Sequence, residues 1–88
     1  YLGCYRDQSV RDIDGLRTDD PVGMTVAKCA TTCRGRGFPI FGVQAGYACF
    51  CGTDYGSYGT ATNCTTACPG DPTKICGGSW ANSVYRLP

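Results

Sequence analysis

The sequence predicts a small α+β domain, with one main helix packed on a short antiparallel sheet and disulfides compensating for a modest core. Three observations lead there. Eight cysteines fall within 88 residues, about nine per cent, the composition of a disulfide scaffold. One stretch, MTVAKCATTCRGRG, carries a helical pattern. Another, FPIFGVQAGYACFCG, carries β-type residues on either side of an Ala-Gly pair. A chain this short buries little apolar surface, so covalent staples are the expected remedy.

Taken in order, YLGCYRD (1–7) is aromatic and aliphatic enough for a first strand. QSVRDIDGLRTDDPVG (8–23) is polar and broken by Gly and Pro, and reads as an irregular connection. In MTVAKCATTCRGRG (24–37), Thr25 is a good helix cap, and Val26, Cys29, Ala30 and Cys33 share one face. Gly35 and Gly37 suit a left-handed helix end. FPIFGVQAGYACFCG (38–52) predicts two strands joined as a hairpin at Ala45-Gly46. TDYGSYGTATNC (53–64) is a loop of Gly, Ser, Thr and Tyr, and CPGDPTKICGG (68–78) is turn-rich. SVYRL (83–87) has strand character and closes the sheet.

The cysteine spacing joins two of these elements. Cysteines four apart on a helix lie about 6 Å apart along its axis. Those two apart on a strand lie about 6.7 Å apart on one face. A helix laid on the sheet therefore brings Cys29 and Cys33 within bridging range of Cys49 and Cys51. Spacing alone allows 29–49 with 33–51 or the crossed pairing. Zinc fits poorly: a C-x-C pair beside C-x-x-x-C pairs in a chain without His is not the usual knuckle spacing. No C-x-x-C redox motif is present.

Eight Lys and Arg against seven acidic residues give a net charge of +1, no field for nucleic acid or an anionic membrane. No apolar run approaches the roughly 20 residues of a membrane span. The chain begins inside structured sequence, which reads as a mature or excised module, monomeric within a larger protein. Disulfides imply an extracellular or cell-wall location reached through the secretory pathway. Without His or Glu, and with every cysteine committed, no catalytic constellation is expected. Asp12, Asp14, Asp19 and Asp20 read as a solvated polar loop beside Arg11 and Arg17. DIDG alone is too little for calcium. No cofactor and no metal are expected.

GCYRD, MTVAKCATTC, FGVQAGYACFCG, CPGD and CGGSWANSVY, in this order and spacing, resemble the WSC domain family of cysteine-rich extracellular modules. The family occurs in fungal wall-stress sensors, carbohydrate-active and oxidase enzymes, polycystin and Kremen-type receptors. The resemblance covers the whole chain, 1–88, as a single domain. It implies a PAN/apple-like fold with bridges Cys4–Cys64, Cys29–Cys49, Cys33–Cys51 and Cys68–Cys76. It also implies a non-catalytic module that recognises cell-wall or matrix polysaccharide (β-1,3-glucan, xylan or chitin) and anchors a larger protein. The alternative is a protein-interaction module of a receptor or sensor ectodomain.

Sugar binding needs an exposed aromatic platform flanked by polar groups, because aromatic rings offer large contact area at low conformational cost. Of six Tyr, three Phe and one Trp, Tyr5, Phe41, Phe50 and Tyr85 lie in strands and are assigned to packing. Trp80 in GGSWANS, Tyr47 at the hairpin, and Tyr55 and Tyr58 in the polar loop are the candidate ligand-binding rings, with Asn82 and Asp7 as polar partners. Family hairpins often place an aromatic-Gly before C-x-C and an acidic residue before the first Cys. Here Ala45 and Ala48 hold those places, which moves the platform to Tyr47 or Trp80 or points to a different ligand. Asn63-Cys64-Thr65 matches the glycosylation sequon. With Cys64 assigned to a bridge, an unmodified Asn63 is expected.

Overall fold

A computed structural model describes all residues, 1–88. In chain order the elements are β1 (Gly3–Arg6), β2 (Leu16–Asp19), α1 (Val26–Gly35), β3 (Ile40–Gln44), β4 (Ala48–Gly52), β5 (Ala67–Cys68), β6 (Asp71–Ile75) and β7 (Ala81–Arg86). Five strands form one antiparallel sheet in the order β1-β7-β3-β4-β2, and β5 pairs with β6 apart from it. The architecture is α+β and disulfide-rich. The four bridges are Cys4–Cys64, Cys29–Cys49, Cys33–Cys51 and Cys68–Cys76, with no cysteine left free.

Helix α1 begins where Thr25 Oγ1 accepts the Lys28 amide at 2.9 Å, satisfying one of the amides that a first turn leaves without a partner. It ends at Gly37, whose φ of +80 lets the chain reverse. There the Phe38 amide bonds the Cys33 carbonyl at 3.0 Å and the Gly37 amide bonds that of Arg34 at 3.1 Å, the paired closure of a Schellman end.

Strand alternation sorts the core onto both faces of the sheet. Phe41, Val43, Cys49 and Cys51 meet Cys29, Cys33 and Met24 under the helix. Ile40, Ala48, Phe50 and Val84 turn the other way, where Ile13, Tyr5 and Tyr55 cover them. The second face therefore has no helix. The connections around Ile13 and Tyr55 roof it instead.

Three local expectations are corrected. The 8–23 connection contains β2, which pairs residue by residue with β4 from Leu16↔Cys51 to Asp19↔Ala48. The 68–78 stretch holds most of a β-ribbon, β5 with β6. The acidic loop is not wholly solvated: Asp12 is buried. Its two carboxylate oxygens accept the amides of Gly56 and Ser57 at 2.8 and 2.9 Å, so it ties the two roofing loops together.

Candidate ligand-binding face at the Ser79-Trp80 turn

Three connections converge at the end of the sheet where β3 leaves and β7 enters. Gly78 and Ala81 exchange both backbone hydrogen bonds, at 3.0 and 3.2 Å, so Ser79 and Trp80 form a two-residue turn. Trp80 has φ +52, a left-handed conformation that a bulky side chain ordinarily avoids. Its carbonyl accepts the Asp7 amide at 2.8 Å, which helps to hold it there. Beside it, Ala45 and Gly46 turn the β3–β4 hairpin with φ values of +56 and +84. Their amides bond the carbonyls of Gly78 and Cys76 at 3.1 and 2.9 Å, so the two turns are locked together.

The glycines of CGGSW make this approach possible. A Cβ on Gly78 would lie 1.8 Å from the Asn63 carbonyl oxygen. One on Gly77, where φ is +73, would lie 2.2 Å from that of Val43. No larger residue fits either place.

The turn carries Trp80, 50 % exposed, and the hairpin carries Tyr47, 38 % exposed. Both line a shallow groove of about 390 Å³ with Arg11, Arg17, Gln44 and Thr66. Arg11 sits 4.9 Å from the centre of the Trp80 ring and 5.2 Å from that of Phe50, while Arg17 is 5.1 Å from Phe50. A guanidinium held over an aromatic face gains cation–π attraction and becomes a rigid donor. On the other side of the turn lies a second groove of about 360 Å³, lined by Trp80 with Arg6, Thr60, Thr62 and Asn63.

Asp7 and Asn82 take a different place from the one their polarity suggested: both are buried, Asp7 at 2 % and Asn82 at 0 % exposure. Asp7 accepts four hydrogen bonds: the amides of Gln8 and Asp12 at 2.9 Å, Arg11 at 2.8 Å and Gln44 at 2.7 Å. Gln44 also donates to Asn82 Oδ1 at 3.3 Å, while Asn82 Nδ2 has no protein partner. This network underlies the first groove and orients Arg11. The Asp7 carboxylate is saturated by these bonds, so Asp7, which also borders the second groove, acts as a support. Burial alone pushes the Asp7 carboxyl up; the amide of Asp12, then Gln44, Arg11 and the amide of Gln8, outweigh it and hold the group below its usual range.

Tyr55 and Tyr58 line neither groove. Tyr55 packs edge-on against Tyr5 with ring centres 5.0 Å apart, and the Tyr58 hydroxyl donates to the Val10 carbonyl. Tyr55 helps to roof the second sheet face, and Tyr58 ties its loop to the 8–23 connection. Conversely, Arg11, Arg17, Thr60 and Thr62 line the grooves without having stood out in the sequence. Only the nearness of Arg11 to Asp7 gave any local signal.

The chain matches the WSC domain family over residues 1–78. It is 36 % identical to human Kremen protein 2 over 99 % of its length, and 40 % identical to human Kremen protein 1 over 88 %. It is also 36 % identical over 97 % of its length to the xylosyltransferase oxt of Drosophila melanogaster. These alignments span 20, 17 and 10 % of the respective relatives, so each carries the similar segment within a much longer chain. A helix-on-sheet scaffold with four bridges and a match across most of its length place this chain in one family: it is a WSC domain.

Proposed function

We infer that this WSC domain is a non-catalytic extracellular module that binds cell-wall or matrix polysaccharide and anchors a larger protein to it. The observation that carries the reading is Trp80, half exposed and held at a left-handed backbone position. Such a conformation costs on the order of 1–3 kcal/mol and persists where the surroundings over-determine it, commonly at functional sites. Here it lifts an indole off the sheet next to Tyr47, with guanidinium, amide and hydroxyl groups around it. That combination suits a pyranose, whose C–H face stacks on a ring while its hydroxyls take hydrogen bonds. Four bridges with no free thiol suit an oxidising compartment. β-1,3-Glucan, xylan and chitin are the polymers to compare.

The test is co-sedimentation of the folded domain with these insoluble polymers. Retention on at least one is expected, with Trp80→Ala and Tyr47→Ala reducing it while circular dichroism stays unchanged. Indifference of the folded domain to the whole panel sinks the reading. The rival, a protein-interaction module, draws on the similarity to the Kremen proteins. Capture of a defined protein partner that added oligosaccharide does not disturb supports it instead.

A further inference from the structure

An indole has two faces, and in Trp80 one is taken. Arg11 lies over it at 4.9 Å. The guanidinium is fixed there by Asp7 at 2.8 Å, a carboxylate whose side chain is wholly shielded from solvent. Clearing Arg11 from the ring would take from a buried carboxylate its one charged partner, so this face is closed to a ligand. Arg11 lines the groove shared with Tyr47 and is absent from the groove on the other side of the turn, which Trp80 also lines.

We propose that this other groove is a sugar subsite, in which one pyranose stacks on the Trp80 face turned away from Arg11 and the polymer crosses the turn to reach Tyr47. The inference rests on the polysaccharide reading and specifies its ligand: a linear chain gripped at internal units across two grooves. The chemistry of the lining fits. Arg6, Thr60, Thr62 and Asn63 are all exposed there, and Arg6 belongs to none of the three ion pairs. Asn63 spends one N–H on the Ser79 carbonyl at 2.9 Å, which leaves its carbonyl and second N–H for a ligand.

The rim is also built before any ligand arrives. Tyr5 and Thr60 form a backbone bridge. The Arg6 amide bonds Gly59 and the Ala61 amide bonds Cys4, both at 3.0 Å. Cys64, next to Asn63, is tied to Cys4 by a disulfide. A rim fixed in this way loses little freedom on binding.

The experiment is calorimetric titration with a ladder of soluble oligosaccharides cut from the polymer that the domain retains. Affinity is expected to rise with length until both grooves are filled, then level off. Thr62→Val and Arg6→Gln should weaken the longer oligosaccharides by roughly 2- to 10-fold each, the worth of one lost hydrogen bond. The shortest ligands should be affected less, and Tyr47→Ala should weaken long ligands from the opposite side. If retention depends on Trp80 and Tyr47, yet Thr62→Val and Arg6→Gln bind every length as the wild type does, the subsite is refuted and the polysaccharide reading survives. If the wild type retains no polymer and binds no oligosaccharide, both fall.

Discussion

Replacing Asp7 by Asn keeps the shape of the side chain and removes its charge. In the native protein its two oxygens accept from the amides of Gln8 and Asp12, from Arg11 and from Gln44. An Asn amide supplies one acceptor oxygen in place of two, and its NH₂ faces donors. Two of the four bonds are therefore lost, and hydrogen bonds to a charged group are worth roughly 1.5–3 kcal/mol each. Arg11 is partly exposed, with a side-chain accessibility of 27 %, so water offsets some of its share. The expected loss is about 2–4 kcal/mol at pH 7, read by urea denaturation with the disulfides intact. The pH dependence gives the sharper check. Because Asp7 titrates below its unfolded value, its contribution is fully present above the ordinary carboxylate range. It fades as pH falls below about 4 and through the lowered native value. Asp20 and Asp71 are also held low, chiefly by Lys28 and Thr73 respectively, but they are common to both proteins. The gap between wild type and Asp7→Asn thus isolates Asp7, and it should narrow steadily on acidification. A gap that is absent at pH 7, or that stays constant down to strongly acid pH, would refute the assigned role of this carboxylate.

Trp80→Asn should separate stability from binding: Asn tolerates positive φ, so the variant should melt within about 1 kcal/mol of wild type while losing retention on polysaccharide. A variant that unfolds would mean that the indole is a packing residue. Ending the chain after Gly78 removes β7, which pairs with β1 on one side and β3 on the other. Such a chain should lose its near-ultraviolet dichroism and its cooperative transition, and a folded truncation would contradict the central position of β7. Replacing Cys4 and Cys64 together by Ala should cost about 4 kcal/mol and replacing Cys68 with Cys76 about 2.5 kcal/mol, because the separations are 60 and 8 residues. Denaturation of the two double variants side by side tests that order.

Much of the helix and hairpin was legible because their signals are local. Thr25 caps the helix from three residues away, and Ala45-Gly46 marks the hairpin turn. The spacing of Cys29, Cys33, Cys49 and Cys51 implied a helix laid on that hairpin; choosing the parallel pairing required the family resemblance. β2 was hidden because Leu-Arg-Thr-Asp has little strand propensity of its own and takes its conformation from a ladder with β4. In β6, Pro72 argues against a strand, yet proline is tolerated where a strand has an unpaired edge. At the site, Trp80 and Tyr47 stood out as rings in Gly-rich polar surroundings, and both are exposed. Asp7 and Asn82 did not announce their burial. Both are bonded by Gln44, which lies 37 and 38 residues away from them in sequence, and no window of sequence contains such a pairing.

The two faces of the sheet are held by different physics, and this bears on what the molecule can do. Under the helix, the bridges from Cys29 and Cys33 fix α1 to β4, and they act largely by restricting the unfolded chain. On the opposite face no disulfide crosses between Phe50 and its roof. That roof is held by Asp12 on two loop amides, by Asp7 on Arg11, and by Tyr55 against Tyr5. Both grooves open at the end of this hydrogen-bonded side. Local fluctuations follow the weaker contacts, so the loops that roof Phe50 are expected to open before the stapled helix does, while Asp7 keeps Arg11 seated on Trp80. A rigid frame with one softer face lets a ligand tighten the roof without rebuilding the fold. Substitutions in the Asp7 network should accordingly alter binding through the orientation of Arg11, which Asp7 holds beside Trp80.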